Sequence, residues 1–221
     1  MKLYVKEYWE YLQAAYERIH AAEDYITDLD LATGDGDHWA NLDKGFSTIC
    51  SKREEWGELN FSQLFSKIGM TMMSVIGGSS GVLYGGAYLR AAKEVGDKEC
   101  LDLPTFFSVL RAMLTDMMER GKAQRGWKTM IDALAPAVDA VQQGISAERT
   151  ETDILRNMME AAIQGAESTK DMPAVKGRAT YQANKGVGNL DPGAVTMAYQ
   201  LEELGKVALH TLDREGAGDG K

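Results

Sequence analysis

The chain has 221 residues, which is enough for one large domain or two small ones with an ample core. Its formal net charge of −9 argues against a nucleic-acid partner. The two cysteines lack metal-site spacing, the N-terminus lacks an apolar signal core, and no run approaches the roughly 20 apolar residues of a membrane span. We therefore expect a cytoplasmic protein with reduced thiols and no membrane segment.

Apolar residues recur at helical spacing along most of the chain, and no stretch alternates as a half-buried strand would. The periodicity predicts eight helices, at about residues 4–29, 39–53, 61–75, 80–95, 104–121, 128–143, 150–170 and 192–210. Cap residues agree with this division, because Pro104 and Pro192 each stand at a predicted helix start shortly after an aspartate. We expect an all-α domain over residues 1–212 and a disordered, glycine-rich tail over 213–221.

Four of the predicted connections hold glycines together with charged or hydroxyl residues. They follow the first, third, fifth and seventh helices, at residues 30–38, 77–81, 121–129 and 172–193. In an up-and-down arrangement these four connections lie at the same end of the bundle. The helix count therefore predicts a functional site on one rim, where helix N-termini would favour an anion.

The first of these connections contains three aspartates, Asp30, Asp35 and Asp37, interleaved with two glycines. Several carboxylates in a flexible turn are typical of a Mg²⁺ site that also uses phosphate and water oxygens. The alternative is a solvated acidic turn. The spacing does not fit an EF-hand calcium loop, and the P-loop motif is absent from the sequence.

Other candidates leave two interpretations open. Ser79 and Ser80 could approach a phosphate or could belong to an ordinary serine-capped turn. Arg178 could bind phosphate or lie on the surface. His38 could contact phosphate, orient a carboxylate or shuttle a proton, or it could make only a local hydrogen bond.

The chain resembles the nucleotide-binding L subunit, or C-terminal domain, of dihydroxyacetone kinases. The resemblance rests on short motifs that follow one another in a fixed order through most of the sequence. They are Gly34-Asp-Gly-Asp-His38 with Asn41, Gly77-Gly-Ser-Ser-Gly81, Arg120-Gly-Lys122, Lys128-Thr-Met-Ile-Asp-Ala-Leu134, Gly177-Arg-Ala-Thr-Tyr181 and Asp191-Pro-Gly-Ala194.

The resemblance implies a barrel of eight antiparallel up-and-down helices with ADP or ATP on one rim. It implies that Asp30, Asp35 and Asp37 hold two Mg²⁺ ions, and that the nucleotide is bound by His38, Asn41, Ser79, Ser80, Gly121, Met130, Arg178, Asp191 and Gly193. It implies no catalytic residue on this chain, because in the family a separate K subunit holds the ketone covalently. A phosphotransferase-system M subunit would rephosphorylate bound ADP.

The sequence departs from the family pattern at Trp39 and Trp127, which we expect to be exposed on the rim as anchors for a partner. Three alternative functions stand beside the one that the resemblance implies. The chain could be an ATP-dependent kinase subunit for another small sugar, or a nucleotide-loaded regulatory protein. It could also be a carrier that holds an apolar ligand inside the barrel.

Overall fold

The structure is a computed structural model that describes residues 1–218, and it is helical almost throughout. The helices are α1 (Val5–His20), α2 (Glu23–Thr33), α3 (His38–Cys50), α4 (Arg53–Trp56), α5 (Phe61–Val75), α6 (Gly78–Val95), α7 (Leu103–Gly121), α8 (Ile131–Ser146), α9 (Glu151–Ser168) and α10 (Pro192–Gly218). Two short strands, β1 (Lys2–Leu3) and β2 (Leu101–Asp102), pair antiparallel. Two single turns of 3₁₀ helix lie at Thr169–Asp171 and Arg178–Tyr181. The predicted all-α class is confirmed.

The eight long helices pack in chain order. Each of α1, α3, α5, α6, α7, α8, α9 and α10 contacts the next, and α10 also contacts α1. This order of contacts closes on itself, while the up-and-down barrel stays a prediction. The inward faces form one hydrophobic core, which includes the aromatic side chains Tyr8, Phe65, Tyr84 and Tyr88.

The predicted first helix is interrupted. α1 ends at His20 and α2 begins at Glu23, although the apolar period continues from Ile19 to Ile26. The Ile19 carbonyl accepts hydrogen bonds from the Ala22 N–H and from the Trp39 indole N–H, at 3.1 and 3.0 Å. In an uninterrupted helix, the Ile19 carbonyl would accept from the N–H four residues later. Here the two other donors occupy it, so the break in the helix coincides with a tertiary contact from Trp39.

Two other boundaries differ from the predictions. The sixth helix was expected from residue 128 but begins at Ile131, because Lys128 adopts a left-handed backbone with φ +60°. The last helix extends to Gly218, so residues 213–218 of the expected tail are helical and residues 219–221 lie outside the described part. Within residues 1–218, no helix combines the length and the apolar composition needed to cross a bilayer.

Candidate functional site

Three aspartate side chains converge in the turn between α2 and α3. Asp30 is buried on the last turn of α2, while Asp35 and Asp37 are exposed in the turn itself. Each offers a carboxylate oxygen, and these oxygens all lie within 4.8 Å of one another. Hard oxygen donors at this spacing, partly open to solvent, fit Mg²⁺, which retains water and phosphate ligands in its shell.

Glycine at two positions allows this turn to form. A Cβ atom on Gly34 would collide with the Asp30 carboxylate. Gly36 has a φ of +77°, a backbone conformation that residues other than glycine rarely adopt. The His38 N–H then donates to the second oxygen of Asp30, at 3.0 Å. Asp30 is therefore held in place by the backbone of the turn that supplies the other two carboxylates.

The buried imidazole of His38 connects the turn to α10. Its Nε2 atom lies 2.9 Å from the hydroxyl of Thr196, which is fully buried on that helix. Burial lowers the pKa of His38, and the nearby Asp30 and Asp37 carboxylates oppose that shift only in part. The ring is therefore largely neutral near pH 7 and holds a fixed position between two helices.

Arg178 lies over the acidic turn from the long connection before α10. Its guanidinium contacts the Asp35 carboxylate at 2.6 Å, and both side chains are solvent-accessible. An exposed pair of this kind contributes little to stability, but it shows that the arginine reaches the aspartate cluster.

The glycine–serine turn is fastened to the same place by Asn41. The Asn41 Oδ1 atom accepts a hydrogen bond from the Gly77 N–H at 3.0 Å. α6 begins at the next residue, so Ser79 and Ser80 lie in its first turn, where backbone N–H groups point outward. This helix start faces the aspartates and can accept an anion.

These segments line two adjoining cavities. The smaller, of about 340 Å³, contains the aspartates, and the larger, of about 490 Å³, extends to an apolar end formed by Leu83, Met117, Met130 and Ile131. They share His38, Ser79, Ser80, Lys176, Gly177, Asp191 and Pro192. Together they have the size of a small-molecule pocket, with polar groups at one end and apolar side chains at the other.

Every residue that the sequence analysis assigned to the site lines one or both cavities. The smaller contains Asp30, Asp35, Asp37, Asn41 and Arg178, the larger contains Gly121, Met130 and Gly193, and both contain His38, Ser79, Ser80 and Asp191. The structure therefore brings all of these residues together on one rim, while their individual roles stay predictions.

Asp191 is the N-cap of α10 at the centre of the site. Its carboxylate accepts a hydrogen bond from the Ala194 N–H at 2.8 Å. Burial raises its pKa to about 7, against the opposing effects of that hydrogen bond and of Lys128. A carboxylate that titrates near neutrality beside a cavity is typical of a functional position.

Sequence reasoning missed Leu83, Lys128 and Lys176 in the cavity lining, and Thr196, which contacts His38 behind it. Thr196 and Leu83 are unremarkable members of helical patterns, and no sequence signal distinguishes them. Lys128 begins one of the motifs that carry the family resemblance, and Lys176 directly precedes another. These positions were the sequence signal that could have identified the two lysines as residues of the site. Lys128 is also unusual for its burial, since only 2% of its surface is exposed.

The expectation that Trp39 and Trp127 are exposed on the rim is wrong. Both are half-buried. Trp39 packs against the hydrophobic core and donates to the Ile19 carbonyl. The side chain of Trp127 has the Lys176 ammonium 5.9 Å from its ring centroid, and its backbone carbonyl accepts a hydrogen bond from the Val175 N–H at 3.3 Å. The Trp39 side chain therefore joins α3 to the end of α1, and the Trp127 ring lies beside Lys176 rather than standing free on the rim.

Replacing Trp39 with alanine is expected to lower the free energy of unfolding by about 2 kcal/mol, because buried ring area and a hydrogen bond are lost. Urea unfolding followed by circular dichroism measures the change. The matched control is Tyr181→Ala, whose side chain is 89% exposed and which should shift stability by less than about 0.5 kcal/mol. Equal, small effects for the two variants would mean that Trp39 is free to contact a partner.

The core holds little space for an apolar ligand. The cavity lined by Tyr8, Tyr84, Tyr88 and Gln200 has a volume of about 30 Å³, which is room for a single water molecule. Its polar groups pair with one another, as Gln200 donates to the Tyr84 hydroxyl at 2.8 Å. This packing argues against the carrier alternative.

Residues 32–206 match the family model described as the DAK2 domain. This range includes every site residue named above except Asp30. A relative from Listeria innocua, the ADP-binding subunit DhaL of PEP-dependent dihydroxyacetone kinase 1, is 40% identical over 82% of this chain and 86% of its own length. The Escherichia coli protein described as the ADP-binding subunit DhaL of PEP-dependent dihydroxyacetone kinase is 32% identical over 84% and 88%.

One solved structure is similar along most of the chain. It is the dihydroxyacetone kinase from C. freundii in complex with AMP-PNP and Mg²⁺, with a TM-score of 0.70 and 26% identity. The similarity covers 90% of this chain and 33% of that one, so this chain spans about a third of the larger kinase.

Proposed function

The chain belongs to the family of DAK2 domains, and from this membership we propose that it is the nucleotide-binding subunit of a dihydroxyacetone-type kinase. The proposal is that it binds ADP or ATP with two Mg²⁺ ions and relays a phosphoryl group to a small ketose. The observation that carries the proposal is the pair of joined cavities, with three carboxylates at one end and an apolar pocket at the other.

In this proposal the nucleotide lies along the two cavities. The adenine ring would contact the apolar end at Met130 and Leu83, beside Gly121. The phosphates would lie at the first turn of α6, where backbone N–H groups favour an anion. The neutral His38 ring would define the boundary between the two parts, since it lines both cavities.

The charged residues have distinct tasks at the phosphate end. Mg²⁺ held by Asp30, Asp35 and Asp37 would neutralise charge on the phosphoryl oxygens. The Arg178 guanidinium, which reaches the same cluster, would donate to a phosphate. Phosphoryl transfer depends largely on positioning and charge neutralisation, so these residues would suffice for this subunit's share of the reaction.

The proposal includes two partners. A K-type subunit would hold the ketose, and an M-type phosphotransferase-system subunit would rephosphorylate bound ADP. The two DhaL relatives support this arrangement, because the chain covers 86% and 88% of proteins described as ADP-binding subunits of PEP-dependent kinases. The free thiols Cys50 and Cys100 fit the cytoplasm, where such subunits would meet.

A second candidate is an ATP-dependent kinase subunit. It is favoured by the C. freundii structure, which contains AMP-PNP and in which the similarity covers 33% of the longer kinase chain. The two candidates differ in the phosphoryl donor and in how long ADP stays bound.

The test is to purify the chain without added nucleotide, denature it and identify the released nucleotide and metal. ADP and Mg²⁺ near stoichiometric amounts are expected. The native chain is then mixed with a K-type subunit, dihydroxyacetone and either ATP or a phosphorylated M-type subunit. Transfer from the phosphoprotein alone supports the coenzyme role, whereas transfer from ATP supports the second candidate. Nucleotide binding without transfer from either donor would leave the regulatory alternative.

A further inference from the structure

The segment that brings Arg178 to the acidic turn is a loop with a closed neck. It runs over residues 170–188, between the end of α9 and the start of α10, and is called here the 170–188 loop. The Gly188 N–H donates to the Lys170 carbonyl at 2.7 Å. The Asp191 N–H donates to the Thr169 hydroxyl at 2.9 Å. The two ends of the loop therefore lie side by side.

A buried ammonium group bridges this neck. Lys128 Nζ donates to the carbonyls of Thr169 and Asn189, each at 2.5 Å, and these residues lie on opposite sides of the neck. Burial lowers the pKa of Lys128, opposed by the surrounding aspartates. A buried charge is costly unless it is well hydrogen-bonded, and here backbone carbonyls provide the partners.

The backbone at Lys128 is shaped to present this side chain. Its φ of +60° is left-handed. The Asp132 carboxylate holds the turn, accepting hydrogen bonds from the Thr129 N–H at 2.8 Å and from the Gly126 N–H. A strained backbone conformation that is fixed by surrounding hydrogen bonds is typical of a functional position.

Beyond the neck, the loop reaches the phosphate end of the site. The Val175 N–H donates a hydrogen bond to the Trp127 carbonyl, and the Gln182 side chain donates to the Ala32 carbonyl at 2.7 Å. Between these two attachments, Lys176, Gly177 and Arg178 line the smaller cavity. The position of Arg178 relative to the aspartates therefore depends on how the loop is anchored.

We propose that Lys128 is a positioning residue that closes the neck of the 170–188 loop and so places Arg178 at the phosphate end of the nucleotide site. This inference rests on the proposed function for its effect on nucleotide binding. Lys128 acts through the loop, because its hydrogen bonds point to the two carbonyls of the neck. Its contribution to affinity should accordingly depend on Arg178.

The experiment is a double-mutant cycle with Lys128→Met, which keeps side-chain length without the ammonium, and Arg178→Ala. Isothermal titration measures the affinity for ADP in Mg²⁺ for the four proteins. Hydrogen exchange of the nucleotide-free proteins measures protection of the Ala174, Val175 and Gly188 amides. The matched control is Lys122→Met, an exposed lysine with φ +45° near the same connection.

We expect Lys128→Met to weaken ADP binding about tenfold or more, as loss of a supporting residue behind a ligand does, and to speed exchange of the three loop amides. The double variant should bind about as weakly as Arg178→Ala alone, and Lys122→Met should match the wild type. Additive losses would overturn the proposal, because Lys128 would then act on the nucleotide independently of Arg178. Unchanged loop exchange would also overturn it.

If Lys128→Met does not fold, Lys128→Gln replaces it, since the amide can still donate to one carbonyl without the charge. Failure of both variants to fold would overturn the proposal, because the lysine would then support the whole fold rather than the loop. The exchange measurement needs no nucleotide. It therefore decides whether Lys128 closes the neck even if the wild-type chain binds no ADP and the proposed function fails.

Discussion

Replacing Asp35 or Asp37 with asparagine is expected to weaken Mg²⁺-dependent ADP binding by more than about 100-fold, because the proposed Mg²⁺ site loses one of its three negative charges. Both side chains are exposed, so the helical fold should be retained and stability should change by less than about 0.5 kcal/mol. Titration calorimetry with and without Mg²⁺ measures the effect. The weak binding without Mg²⁺ should be the same for wild type and variants.

The Asp37 variant gives the clearer result, because Asp35 also contacts Arg178 and its loss frees that guanidinium. The matched control is Asp97→Asn, an exposed aspartate outside both cavities, which should bind ADP as the wild type does. Undiminished Mg²⁺-dependent binding in both the Asp35 and Asp37 variants would rule out the assignment of the metal site.

Replacing Asp191 with asparagine is expected to stabilise the nucleotide-free chain at pH 8, on the order of 1–2 kcal/mol. Burial raises the pKa of this carboxyl from 3.8 to about 7, so at pH 8 the native state holds a charge that it disfavours. Below pH 4 the group is protonated in both the native and the unfolded state, and the gain should vanish. Urea unfolding between pH 4 and pH 8 measures this dependence.

The sign follows from proton linkage. Between about pH 4 and pH 7 the native state holds a proton that the unfolded state releases, so stability falls as the pH rises. Asparagine has no such dependence, and it keeps the hydrogen bond from the Ala194 N–H, since it is an equally good N-cap. A wild type no less stable at pH 8 than Asp191→Asn would contradict the prediction.

Asp102 provides a control, because its replacement by asparagine should change stability in the opposite direction. It caps α7 as Asp191 caps α10, and its carboxylate accepts from the Thr105 N–H at 2.9 Å. Hydrogen bonds from Thr105 lower the pKa of Asp102, which means that the folded state favours its charge. Asp102→Asn should therefore destabilise the chain at pH 8, by about 0.5–1 kcal/mol.

Much of the architecture follows from local pattern. The helical period located all eight long helices, and their parity alone predicted that four connections would lie together at one rim. The structure brings the aspartate turn, the Gly77 turn and the α10 start into two adjoining cavities. These features were predictable because each depends on residues close together in sequence.

The parts that sequence reasoning missed depend on distant partners. The break after His20 accompanies an indole contact from Trp39 to the Ile19 carbonyl, 20 residues away in the chain. Lys128 is buried because it reaches carbonyls that lie 41 and 61 residues further on. Trp39 was expected to be exposed for the same reason, since its neighbours in the fold are not its neighbours in the chain. Local periodicity contains no information about such pairs.

The contact between α1 and α10 has a consequence for synthesis. Every other contact in the ring joins helices that follow one another, so these can pack as the chain emerges from the ribosome. The contact between α1 and α10, where Arg18 pairs with Glu202 and Glu203, can form only after the last helix has been synthesised. Because the start of α10 also supplies Asp191 and Thr196, the pocket is completed last. A chain that ends before α10 would therefore lack the site, and the apolar faces that α10 covers would be exposed to chaperones and proteases.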